Sequence, residues 1–271
     1  MKDFVLVNDK ELWYGVFPKL ESMGVRHAVT TRLGGSSALF NAGDLNMSFN
    51  VGDDPEQVMG NRRKVAEALG LDIRQAVVTR QTHTNHVQCV DYSHAGLGHD
   101  SFQTGLADTD GLITDCKALP LLLFFADCVP IILYDSAKKV LSVVHAGWRG
   151  TVQKIPVVAI TKMVQEYGSD PKDCHAFIGP SIGPCCYEVN HVVADAVQAE
   201  FSFHERVLVA TGDDKWHLDL WNTNKLALQQ AGLPEENIII SGICTIEHNR
   251  LFFSHRKEAG KTGRISVLAS L

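Results

Sequence analysis

Short runs rich in β-branched and aromatic residues alternate with helix-patterned stretches along the whole 271-residue chain. This interleaving restricts the fold more than any other feature. Strand candidates fall at residues 27–31, 76–79, 111–114, 129–134, 140–144, 174–178, 237–240 and 265–268, each bounded by loop formers. Helical spacing covers 55–69, 151–167, 192–201 and 220–231, with Pro156 predicting an irregular start to the second. Strands and helices mixed in this order imply an α/β or mixed α+β fold, with mixed sheets flanked by helices. No linker, charge run or fixed-period repeat divides the sequence, so the expectation is one compact domain over residues 1–271. A chain of this length buries a sufficient core without disulfides or structural metal, so a metal site here would serve chemistry.

Composition removes several classes of function. With 25 Lys+Arg against 31 Asp+Glu, the chain carries a formal charge of −6, which argues against a nucleic-acid or anionic-membrane surface. Seven cysteines form no CxxC pair, a pattern of reduced thiols in a cytoplasmic protein. The N-terminal residues lack the apolar run of a signal peptide. The longest apolar stretch, 119–134, is broken by Pro120, Asp127 and Pro130, short of the roughly 20 residues of a membrane span. Nucleotide fingerprints are absent: GLGHDS at 96–101 breaks the GxGxxG pattern, and the GKT at 260–262 has His255 where a Walker loop needs glycine. No HExxH or deaminase-type HxE occurs either. Twelve histidines are the one unusual count, and they direct attention to metal.

Three segments each place a soft or borderline ligand near the end of an expected strand: QTH with His83, ADCVP with Cys128, and HAGWRG with His145. Separations of 45 and 17 residues would bring the ligands from different strand ends, as in a catalytic centre. Two imidazoles and a thiolate suit Zn²⁺ with one position left open, and copper binds the same donors. The same pattern also fits satisfied core histidines and a small packed cysteine. Asp127, beside Cys128 at the end of an apolar run, is a candidate proton carrier or orienter of a histidine ligand. His86 is an alternative ligand, although a strand would point it away from His83. A helix beginning near Thr151 would aim its first amides at an anion. Arg32 precedes Gly34 and Gly35, while Arg256 and Arg264 flank a glycine-containing turn. These arginines are candidates for phosphate binding, and singly each reads equally well as a solvated surface charge. Adjacent Cys185 and Cys186 read as packing or pocket residues.

Taken together and in order, TTRLGGSS, NVGDDPEQVMGNRR, QTH, ADCVP, HAGWRGT, IGPSIGPCCYEV and FFSHRKEAGKTGR resemble the YfiH-like family. That family was long described as multicopper polyphenol oxidoreductases with a laccase domain and later as purine nucleoside phosphorylases with adenosine deaminase activity. The resemblance spans nearly the whole chain. It departs from the family pattern at QTHTNHV, which adds His86, and at FFSHR, where His255 replaces an aromatic residue. The resemblance implies a CNF/YfiH-like fold and zinc held by His83, Cys128 and His145. It also implies purine nucleoside and phosphate as small-molecule substrates for a monomer or homodimer. Arg32, with Arg256 or Arg264, would then hold phosphate against the anomeric carbon. His83, Cys128, His145 and Asp127 would form the catalytic group. Other readings remain open at this stage. They are a copper-dependent polyphenol oxidoreductase, against which the absence of HxH pairs counts, and a peptidoglycan-precursor hydrolase with Cys128 as nucleophile and His145 as base. A non-catalytic metal- or partner-binding module is the reading from another class.

Overall fold

A computed structural model describes residues 3–271. Its first part runs β1 (Val5–Asp9), β2 (Leu12–Val16), α1 (Pro18–Ser22), β3 (Arg26–Thr30), β4 (Leu33–Ser37), α2 (Pro55–Ala68), β5 (Val77–Val78) and β6 (Val87–Cys89). The centre holds β7 (Gly111–Thr114), β8 (Leu121–Phe125), β9 (Val129–Asp135), β10 (Val140–Ala146), α3 (Trp148–Val152), α4 (Ile155–Tyr167) and β11 (Cys174–Ile178). The remainder is β12 (Glu188–Val189), α5 (His191–Glu200), β13 (Leu208–Gly212), β14 (Lys215–Leu218), α6 (Leu220–Gln230), β15 (Ile238–Ile240) and β16 (Ile265–Ser270).

Two six-stranded sheets form the frame, in the orders β1-β2-β3-β16-β8-β5 and β15-β11-β9-β10-β7-β6. Both are antiparallel except at their edges, where β5 pairs parallel to β8, β15 to β11 and β6 to β7. A three-stranded antiparallel sheet, β12-β14-β13, lies apart from them. The fold is therefore mixed α+β, as the interleaving of elements predicts.

Because successive strand residues point to opposite faces, each central strand serves two cores. Ile132, Tyr134, Leu141 and Val143 face Leu121, Leu123, Phe125 and Val267 of the other sheet. Their neighbours Ile131, Leu133, Val140 and Val144 pack with Ile155, Ala159, Ile160 and Met163 of α4. On the far side, Ala28, Leu122 and Leu268 are covered by Val65 and Ala66 of α2. The layers are helix, sheet, sheet, helices. Burial on both faces explains why these strands read as continuous apolar runs rather than alternating ones.

Local chemistry sets the helix ends. The side chain of Asp54 accepts from the Glu56 amide at 3.0 Å, Pro55 occupies the first turn, and Gly70 follows with φ 63°, the usual capping asymmetry. The single helix expected over 151–167 is instead two: α3 stops at Val152, and Lys154 with φ 56° redirects the chain before α4, with Pro156 in its first turn. The apolar run at 119–134 is also divided. It forms β8 in one sheet and β9 in the other, with residues 126–128 crossing between them. Among the described residues no helix is long and apolar enough to cross a membrane.

Candidate active site

The crossing at residues 126–128 brings Cys128 to one end of the two-sheet sandwich, beside the end of β10 and the QTH loop. Asp127 adopts φ 78° and His83 φ 64°. Left-handed backbone at a non-glycine residue costs of order 1–3 kcal/mol and persists only when the surroundings enforce it. Here they do. The Asp127 carboxylate accepts from Thr245 Oγ1 and from the Arg256 amide, each at 2.6 Å, while its carbonyl accepts from Ile182 N at 2.9 Å. The Gln81 side chain both donates to and accepts from the backbone of Phe124 at 2.8 Å, which clips the QTH loop to the edge of β8.

Asp110 organises the rest. It is wholly buried, and its carboxylate accepts from the amides of Thr82, His83 and Thr84 at 3.0, 3.1 and 2.9 Å and from Thr84 Oγ1 at 3.0 Å. The same carboxylate lies 2.8 Å from His145 Nδ1, which leaves Nε2 of that ring for the cleft. Cys128 Sγ is 3.8 Å from His83 Nε2. The two imidazole rings meet edge-on with centroids 4.9 Å apart, and His145 rests 5.5 Å from the Phe125 ring. A Cβ at Gly147 would stand 3.0 Å from both Cys128 Sγ and His83 Cδ2, so a larger residue there would push the two donors aside.

The electrostatics follow from the packing. Burial alone would push the Cys128 thiol up, but His145 and then His83 outweigh it and bring it down to about 6. Burial would push His145 down, but the Cys128 sulfur and the Asp110 carboxylate raise it to about 9. Burial likewise opposes the Asp110 charge, yet His145 and the loop amides hold its carboxyl at about 2. In the metal-free protein these opposed shifts favour a Cys128 thiolate beside a protonated His145, backed by the Asp110 carboxylate. One ligand atom from each of His83, Cys128 and His145 lies within 4.8 Å of the other two, a donor set that can hold a metal ion. The buried Asp110 contact is the carboxylate–histidine support that metal sites use to fix a ligand's tautomer.

Two cavities meet at this group. The larger, about 620 Å³, includes Trp148, Arg149, Tyr187 and Arg256 in its lining. The smaller, about 250 Å³, includes Ser48, Thr79, His145 and Arg264. His83, Cys128 and His255 line both.

Not every candidate residue comes to this place. Arg32 lines neither cavity; it is buried and grips Asp44 at 2.9 Å and Glu258 at 3.0 Å. The glycines beside it serve packing rather than an anion, since a Cβ at Gly34 or Gly35 would strike the carbonyls of Glu11 or Asp44. Asp127 makes no hydrogen bond to either histidine; the orienting carboxylate is Asp110, which the sequence reading missed. His86 Nδ1 turns to the Asp108 carbonyl at 3.1 Å and lines neither cavity. Arg256 lies over the Tyr187 ring at 5.3 Å and donates to the Glu188 carbonyl at 3.0 Å. Arg264 Nη1 donates to the carbonyls of Thr262 and Gly263 at 2.7 and 2.9 Å. Arg149, over Trp148 at 4.3 Å, was not among the candidates. The position of its WR pair just after HAG was the available signal.

Comparisons with known proteins agree with this architecture. Over 221 residues, 82% of this chain and 80% of the relative, the sequence is 40% identical to a Bacillus subtilis protein named purine nucleoside phosphorylase YlmD. It is 35% identical to adenosine deaminase RL5 of an unknown prokaryotic organism, over 81% of this chain and 84% of that one. The crystal structure of the Bacillus licheniformis hypothetical protein YfiH superposes with a TM-score of 0.93 at 34% identity, covering 98% of both chains. A family model described as multi-copper polyphenol oxidoreductase laccase matches residues 26–271, and this chain belongs to that family.

Proposed function

We propose that this chain is a zinc-dependent purine nucleoside enzyme. It would cleave adenosine, inosine or methylthioadenosine with phosphate to give free base and ribose-1-phosphate, and would deaminate adenosine hydrolytically at the same centre. One observation carries the reading: the His83, Cys128 and His145 donors converge where two cavities meet, the larger with Trp148 and Tyr187 in its wall and the smaller with Thr79 and Arg264 beside three phenylalanines. The names of the two relatives, phosphorylase and deaminase, support it. Two nitrogens and one thiolate match zinc with an open coordination position, where the ion supplies Lewis acidity.

Cleaving an N-glycosidic bond builds positive charge on the ribose and negative charge on the purine, so the protein must stabilise both. Trp148 and Tyr187 offer flat apolar faces for the base in the larger cavity, with the Arg149 guanidinium at hand for charge developing on the purine. Arg264 and the buried hydroxyl of Thr79, which has no hydrogen-bond partner, offer donors for phosphate in the smaller cavity. Arg256, tied to Tyr187 and Glu188, stands at the substrate end instead. The seven unpaired cysteines support a reducing, cytoplasmic setting.

The Asp110–His145–Cys128 chain favours a second reading, in which Cys128 is the nucleophile of a hydrolase and His145 its base. Metal-analysed protein incubated with adenosine, with and without phosphate, separates the readings. Phosphate-dependent adenine with ribose-1-phosphate supports phosphorolysis, and phosphate-independent inosine supports deamination. Neither product, with phenol oxidation only in copper-loaded protein, overturns the purine reading. Cys128→Ala should abolish activity and release zinc together; retained zinc with lost activity supports the nucleophile.

A further inference from the structure

Three of the seven thiols gather away from the site just described. Cys185 and Cys186 sit in a tight turn in which the amides of Cys186 and Tyr187 both donate to the Gly183 carbonyl at 3.0 Å. Cys244 lies in the adjacent segment, which pairs with the start of the loop through Ser181 and accepts from the Gly183 amide on its sulfur at 3.3 Å. Each sulfur is within 4.8 Å of the other two, and no imidazole or carboxylate joins the group. Gly183 makes the gathering possible. A Cβ there would meet Cys244 Cβ at 3.1 Å, Cys185 Sγ at 3.2 Å and the Trp221 ring at 2.8 Å.

We propose that Cys185, Cys186 and Cys244 form a second, sulfur-only metal site that takes Cu(I). A soft monovalent ion is satisfied by thiolates alone, and a trigonal site with metal–sulfur bonds of about 2.3 Å needs sulfurs about 4 Å apart. The three sulfurs, each within 4.8 Å of the other two, stand close to that spacing. Zn²⁺ would still want a fourth ligand, and His217 and Asp219, which share a cavity with Cys185, stand outside the 4.8 Å group. Cys185 is exposed while Cys244 is buried, so the ion has an entry and a seat. Binding releases the thiol protons into solvent.

The position gives the site a structural reach. Ile182 and Tyr187, at either end of the turn, line the larger cavity, and Thr245, next to Cys244, holds the Asp127 carboxylate. A bound ion would staple that cavity wall to the segment bracing the crossing at Cys128.

The test uses full-length, reduced, metal-free protein under anaerobic conditions, with Cu(I) presented as its bicinchoninate complex. A Cys128→Ser background removes the other thiol-containing site. This variant should withdraw one equivalent of Cu(I) from the chelator, show a sulfur-only shell by X-ray absorption, and melt at a higher temperature when loaded. Adding the exposed Cys185→Ser change should weaken Cu(I) binding at least about tenfold and remove a sulfur from the shell, with an unaltered near-ultraviolet circular dichroism spectrum. The proposal fails if Cys128→Ser protein takes no Cu(I) from the chelator, if nitrogen enters the shell, or if Cys185→Ser changes nothing. It fails equally if Zn²⁺ displaces Cu(I).

Discussion

One carboxylate, Asp110, both shapes the loop that presents His83 and orients the ring of His145. Replacing it by Asn keeps the size but removes the charge and puts an amide donor among donors. Asp110→Asn should therefore weaken metal binding about 10- to 100-fold, measured by chelator competition. Protonation of the thiol gives a second check at this scale. In metal-free protein, iodoacetamide should modify Cys128 with a midpoint near pH 6 and not near 9. Peptide mass spectrometry would follow this modification. Alkylation should fall away as the pH drops below that midpoint, because the imidazolium then faces a neutral thiol. The three donors were legible because soft side chains at the ends of apolar runs are uncommon. Asp110 was not, since its partners are backbone amides and a histidine 35 residues away, contacts with no sequence period. Arg32 misled for a related reason: glycines beside an arginine read as an anion loop, whereas here they let two backbones touch.

At the scale of elements, hydrophobic period located most long strands and helices, and close contact decided the rest. The helix over 151–167 breaks because Lys154 takes a left-handed conformation that no pattern announces. Strand β8 merges into β9 in the sequence, and β1 and β13 are short and largely exposed, so neither presents a clear apolar face. His27 in β3 shows how one buried side chain joins elements. Its Nε2 accepts from the Phe17 amide at 2.8 Å where α1 begins, and its Nδ1 faces the Val25 carbonyl at 3.2 Å. Burial pushes this imidazole down from 6.5 to about 4. The unfolded chain therefore takes up the proton first as pH falls. Stability is full above pH 6.5, declines below it, and by about pH 4 has lost about 3 kcal/mol from this residue. His27→Gln should flatten that part of the urea-denaturation stability profile between pH 6.5 and 4.

For the whole molecule, the core between the two sheets predicts joint behaviour. Leu141, wholly buried on that shared face, should cost about 2–5 kcal/mol when cut to alanine. Loss of near-ultraviolet circular dichroism and exposure of the wholly buried Cys174 thiol to reagent should coincide in one transition, as expected of a single cooperative unit. Two separated transitions would instead show that residues 1–271 do not unfold as one body. The fold class was legible from the order of elements. The layering was not, because it depends on which strands pair across long separations, and β3 joins β16 from opposite ends of the chain.

The two cavities flanking His83 and Cys128 also matter for inhibitor design. A flat heteroaromatic head joined to an anionic tail by a short tether could occupy both chambers at once. Its second half would then bind at the high effective concentration set by the tether. Such a two-headed compound should outcompete either fragment alone, and the tether length that binds best would gauge the distance between the two subsites.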